Sequence, residues 1–147
     1  HLFVNMFVLW SFGTMVESLF ANNFGNLSSL YFLVLYIGGI AFSSLPSYGK
    51  HKNDDFYNAV GASGAVSAVL FSSILMYPQG SVVFIFFPVP IPAWIFGILY
   101  LVYSAYMAKR GSDNIGHDAH FWGAVFGLVF TFLLRPAFVN EFLQNIF

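Results

Sequence analysis

Two side chains in this sequence are suited to nucleophilic chemistry: Ser63, in the run Gly61-Ala62-Ser63-Gly64, and His120. A hydroxyl is a weak nucleophile until a base takes its proton, and imidazole is the side chain best matched to that task near neutral pH. Each also has a plainer reading. Small-residue clusters in apolar helices are commonly packing surfaces. A histidine is harder to dismiss, because an ionisable group inside an apolar segment is expensive and usually faces a cavity, a partner or a pathway. A third group is His1 with Asn5, an i, i+4 pair that projects from one helix face. Both can donate hydrogen bonds. Together with the backbone amide of Ser63 they supply the donors that a tetrahedral oxyanion requires, although they could equally cap or bridge helices.

The elements that must position these groups follow from composition and charge. Of 147 residues, 59% are hydrophobic and 7% charged. Ordinary soluble domains carry roughly a quarter charged residues. Asp, Glu, Lys and Arg are absent from positions 1–16, 18–49, 56–108 and 119–134, and a helix crosses the bilayer core with about 20 apolar residues. The expected fold is therefore an all-α, polytopic membrane bundle of five spans. These run from His1 to about Glu17, from about Leu27 to Leu45 where Pro46 ends the helix, from Val60 to Tyr77, from Ala93 to Lys109 and from Ala119 to Arg135. A polar turn, Asn22 to Ser29, joins the first two. Pro88, Pro90 and Pro92 at alternate positions forbid helix and predict an extended connector at the membrane surface. A short amphipathic tail runs from Pro136 to Phe147.

Net charge is -1, with five Lys and Arg against six Asp and Glu, so no basic face exists to neutralise a nucleic acid. The absence of cysteine removes thiolate nucleophiles, thiolate zinc sites and disulfides together. A metal site from His1, His117 and His120 lacks a carboxylate at any HExxH-like spacing and would leave the serine unexplained. The chain starts with His1 and an apolar run without a basic leader, which predicts an excerpt of a longer protein, not a signal peptide.

Alternation of five spans puts the loops Ser47 to Asn58 and Arg110 to Asp118 on one side, so Ser63 and His120 lie at matching depth below that side. Gly123, Gly127 and Thr131 follow His120 at +3, +7 and +11, a groove of small residues on the histidine's own face. If the third span lies in that groove, Ser63 can approach His120.

The order His1-x-x-x-Asn5, Gly61-Ala62-Ser63-Gly64, then Ala119-His120-x-x-Gly123-x-x-x-Gly127 resembles the rhomboid intramembrane serine proteases, and Phe12, Gly13 and Glu17 extend the likeness. The resemblance implies that Ser63 is the nucleophile and His120 its base. It further implies that His1 and Asn5, with the Ser63 amide, form the oxyanion hole. On this reading residues 1–147 are a protease domain lacking the family's first helix and the loop after it, and the five spans are helices two to six of a six-helix core.

The implied activity is a serine endopeptidase that cuts transmembrane protein substrates in or beside their spans within the lipid bilayer, without metal or cofactor. The resemblance opens the active site to the outer side, with a bacterial inner membrane as the expected location. Lys50, Lys52, Lys109 and Arg110 on that side point the other way by the positive-inside pattern.

Several residues are assigned other work. His117 is a rival base that matches no family motif. Asp118, two residues before His120, points away and caps the fifth span, which leaves a dyad without an acid. Glu17 caps or bridges inner helix ends, His51 is a solvated loop residue, and Trp10, Trp94 and Trp122 are packing or interfacial aromatics. Gly111 and Gly116 are candidate hinges of a lid. Ser67 stands where some relatives carry an aromatic that stacks on the catalytic histidine, so other contacts must orient the ring. The alternatives are a silent rhomboid-like protein that binds membrane clients and a transporter with proton-relaying histidines.

Overall fold

The computed structural model describes residues 2–53, 62–111 and 115–147, with the backbone alone at Ser47, Lys50 and His51. His1, Gly61, Asp54 and Asp55 lie outside the described residues, as does the middle of the expected lid.

Helix α1 (Leu2–Phe24) leads through one 3-10 turn (Gly25–Leu27) into α2 (Ser28–His51). Gly25 adopts a φ of 57°, the left-handed conformation that lets the chain reverse so tightly. The chain continues as α3 (Ala62–Met76), strands β1 (Ser81–Phe84) and β2 (Phe87–Pro92), α4 (Ala93–Arg110), α5 (His117–Leu134) and α6 (Ala137–Ile146). Among the described residues each of the five expected spans is helical over most of its length, and the amphipathic tail is α6.

The differences have local causes. Helix α1 runs two turns beyond Glu17, so this exposed carboxylate sits on the helix side and not at its inner end. Pro46 lies inside α2 and does not end it. A proline costs its own amide bond and crowds the carbonyl four residues earlier. In the turn just before it the hydroxyls of Ser43 and Ser44 both donate to the Ile40 carbonyl, at 3.2 and 2.6 Å.

The expectation of an all-α fold fails at the connector, which is an antiparallel hairpin, although its extended backbone agrees with the proline spacing. The pairs are Ser81 with Pro92, Val82 with Ile91 and Phe84 with Phe87. Pro92 has no amide to give, so the Val82 and Ile91 pair must make the exchange, and prolines at alternate positions leave donors on one edge only. Nor is the hairpin merely superficial: Val82 is buried with Leu70, Phe71 and Ile74.

Helix α3 is the axis of the bundle. Every residue from Ser63 to Leu75 is buried, and α1, α2, α4, α5 and α6 all pack on it. A helix apolar on all sides suits such a position. Among the described residues two segments, Leu2–Pro46 and His117–Leu134, are long and apolar enough to cross a membrane, the first of them holding α1 and most of α2. Helix α3 is a shorter apolar helix, about 22 Å long at 1.5 Å per residue. Helix α4 ends on Lys109 and Arg110, cations that suit the negative end of the helix dipole. Gly111 closes it in the left-handed conformation, φ 60°, with its amide bonded to the Met107 carbonyl at 3.0 Å. Gly111 and Gly116 are thus the stop of α4 and the start of α5.

Candidate active site

The groove on α5 receives α3. A Cβ on Gly123 would overlap the carbonyl oxygen of Gly64, and one on Gly127 would overlap that of Ala68. One turn further on, the Ser72 and Thr131 hydroxyls meet at 2.6 Å. The offset between partners is the same at each step, so the two helices run parallel and in register. Only glycine allows backbones this close, and in an apolar surround such closeness supplies dispersion contact that larger side chains would prevent.

Helix α2 closes on the same point from the other side. A Cβ on Gly39 would stand 2.9 Å from the Ala65 Cα, and one on Gly64 would run into the Ser43 side chain. The Ala119 carbonyl oxygen lies 3.2 Å from that same Gly64 position. Gly64 is therefore pinched between α2 and the first turn of α5. Ser63 immediately precedes Gly64, and His120 immediately follows Ala119, so the residues bonded to the two candidates touch. Ser63 is buried and His120 half-buried.

Helix α4 lies antiparallel to α5 and brings two tyrosines to two histidines. The Tyr100 ring stands 6.3 Å from that of His120 at 34°, and the Tyr103 ring 5.5 Å from that of His117, edge-on. The two imidazoles stand edge-to-face at 6.0 Å. The Tyr100 hydroxyl also lies 2.7 Å from Ser67 Oγ, which donates to the Ser63 carbonyl at 3.1 Å.

Other expectations fall out as follows. His117 is buried as the first residue of α5, against Tyr103 and His120. Asp118 is not the cap, because Gly116 holds that position. It is buried in the first turn, where its Oδ1 accepts the Ala119 amide at 3.1 Å and its charge suits the positive end of the helix. Asn5 is half-buried near the start of α1. Among the described residues no three His, Asp or Glu side chains converge as a metal site requires. The tyrosines of α4 and Ser43 were not singled out by sequence. A signal existed in the matching i, i+3 spacings Tyr100-Tyr103 and His117-His120 on neighbouring spans, but it has meaning only once their antiparallel register is known.

A buried helix carrying a GxSG serine, set in register against a glycine-grooved helix headed by a histidine, is the feature that marks the class of this helical membrane protein. The Rhomboid domain family model matches residues 1–137, and the chain belongs to the rhomboid family. It is 30% identical over 132 residues to RHOMBOID-like protein 12, mitochondrial, of Arabidopsis thaliana, covering 84% of this chain and 39% of that protein. It is 29% identical over 140 residues to Rhomboid protein 1, mitochondrial, of Saccharomyces cerevisiae, covering 93% and 38%. The human Presenilin-associated rhomboid-like protein, mitochondrial, is 28% identical over 138 residues, covering 87% and 32%. The chain thus spans less than two fifths of the length of these relatives. Their mitochondrial names do not fit the bacterial inner membrane expected from sequence. No solved structure matches the chain.

Proposed function

We propose that this chain is the catalytic core of an intramembrane serine endopeptidase, with α1 to α5 crossing the bilayer as helices two to six of the rhomboid core. Ser63 Oγ attacks the scissile carbonyl while His120 accepts its proton and later gives it to the leaving amine. The tetrahedral oxyanion is held by the Ser63 amide with Asn5 and His1. Water then repeats the cycle on the acyl-enzyme, and no metal or cofactor takes part.

One observation carries the reading: the Gly64 backbone is locked between Ser43 and the Ala119 carbonyl, which fixes the backbones of both reacting residues relative to each other. Such fixation converts an encounter between nucleophile and base into a standing geometry. The substrate class is a membrane protein segment that can unwind locally and carries small side chains, because intact helix hides its peptide bonds.

The test is labelling with a serine-directed fluorophosphonate in detergent and in lipid, followed by cleavage of a transmembrane reporter. Labelling of the native chain that disappears in Ser63→Ala and falls at least about 100-fold in His120→Ala, the scale of losing a general base, supports the protease. A folded, full-length protein that takes no label and cuts no reporter is a client-binding member of the family, and the proposal fails.

A further inference from the structure

Ser67 offers the histidine no ring, so something else must orient His120, and α4 supplies the candidate. We infer that Tyr100 is the positioning residue that couples the His120 imidazole to the Ser63 backbone, an inference that rests on the protease reading above.

The geometry assigns direction to each bond. Ser67 has one hydroxyl proton and gives it to the Ser63 carbonyl at 3.1 Å. The 2.7 Å contact between Tyr100 and Ser67 must then have the phenol as donor. The result is a relay, Tyr100 O–H to Ser67 O–H to the Ser63 carbonyl, whose members polarise and strengthen one another in an apolar surround. The same tyrosine lays its ring beside His120, 6.3 Å between centroids and inclined at 34°. Its other ring contacts are Phe71 at 5.4 Å and Phe96 at 5.8 Å, so both the core helix and its own helix hold it in place. One side chain thus touches the base directly and reaches the nucleophile's backbone through a single hydroxyl. Tyr103 repeats the ring contact against His117.

Two substitutions separate the ring from the phenol. Tyr100→Phe keeps the ring and loses the donor, while Tyr100→Leu loses both. The full chain in detergent micelles is followed by the rate of fluorophosphonate labelling at Ser63, by kcat and KM on a reporter, and by the ring-current shift of the His120 carbon-bound protons. Tyr100→Leu is expected to abolish that shift and lower labelling rate and kcat about 100-fold, the penalty typical of a misplaced catalytic group, with KM little changed. Tyr100→Phe is expected to keep the shift and recover most of that loss, remaining about 5-fold slow for one hydrogen bond. In a Ser67→Ala background Tyr100→Phe should have no further effect, since the relay is already cut.

Loss of the ring-current shift with labelling and kcat unchanged overturns the inference. So does a His120 spectrum indifferent to both substitutions. If Tyr100→Leu does not fold, the Tyr100→Phe and Ser67→Ala pair decides: additive losses refute the relay. A native protein whose Ser63 takes no label removes the protease reading itself, and the ring-current result then stands apart as a record of packing alone.

Discussion

The seam between α3 and α5 and the gap between α1 and the hairpin are built on opposite principles. At the seam, backbone lies on backbone: Gly64 against Gly123, Ala68 against Gly127, and a hydroxyl pair below. At the gap, bulky side chains such as Phe3, Phe7, Phe84 and Phe96 line a cavity of about 560 Å3. Backbones in contact have no rotamers to change, whereas aromatic side chains can turn and let their helices part. We therefore expect the seam that holds Ser63 and His120 to be the stiffer region and the gap between α1 and the hairpin the looser one.

The seam should therefore fail first. Gly123→Val places carbon where the Gly64 carbonyl oxygen stands, and neither helix can yield without moving Ser63 or His120. We expect a loss of at least about 3 kcal/mol, the upper end of overpacking, together with loss of fluorophosphonate labelling. Thermal unfolding in detergent and the labelling rate check both. A variant that unfolds and labels like the native chain would show that the seam tolerates separation.

At the gap the opposite perturbation, removal of material, costs less. Val82 is the hairpin's buried anchor among Leu70, Phe71 and Ile74. Val82→Ala should cost about 1 to 2 kcal/mol by leaving a void that the looser surroundings partly fill. Hydrogen exchange should rise at the hairpin amides and not along α3. Faster exchange along α3 instead would mean that the two regions are one cooperative unit.

A finer test stays within the seam. Ser72 and Thr131 satisfy each other, both fully buried. Ser72→Ala or Thr131→Val leaves a buried hydroxyl without that partner and should cost about 1 kcal/mol, whereas the double variant should cost less than the two single losses together. Additive losses in chemical denaturation would mean that the hydroxyls act independently and that glycine contact alone sets the register.

The same contrast explains what could be read from residue order. Gly123, Gly127 and Thr131 on the face of His120 foretold a groove, and α3 fills it, because helical period is a property of the chain itself. Spans followed from charge placement for a similar reason, since charge in lipid is excluded locally. What could not be read depends on contacts between distant segments. Pro46 stops an isolated helix, yet within the bundle α2 continues past it to His51. Alternate prolines declared an extended chain but not its partner strand, which needs the reversal at Ile85 and Phe86. Nothing in the sequence set Tyr100 apart from the other tyrosines until α4 was laid antiparallel to α5.

The smallest effect belongs to the hairpin tip. Phe86 is 99% exposed and takes part in no buried cluster, so it contributes nothing to packing despite its size. Phe86→Ser should leave the unfolding temperature in detergent within the range of about 0.5 kcal/mol that surface substitutions span. Its apolar neighbours Ile85 and Phe87 are also exposed, so the whole turn presents an apolar surface, which we expect to meet lipid. The substitution should accordingly weaken association of the hairpin with lipid while sparing the fold, a change measurable as reduced quenching of a tip-attached fluorophore by bromolipids. Marked destabilisation in detergent would place Phe86 against protein and move the hairpin from the loose region to the rigid one.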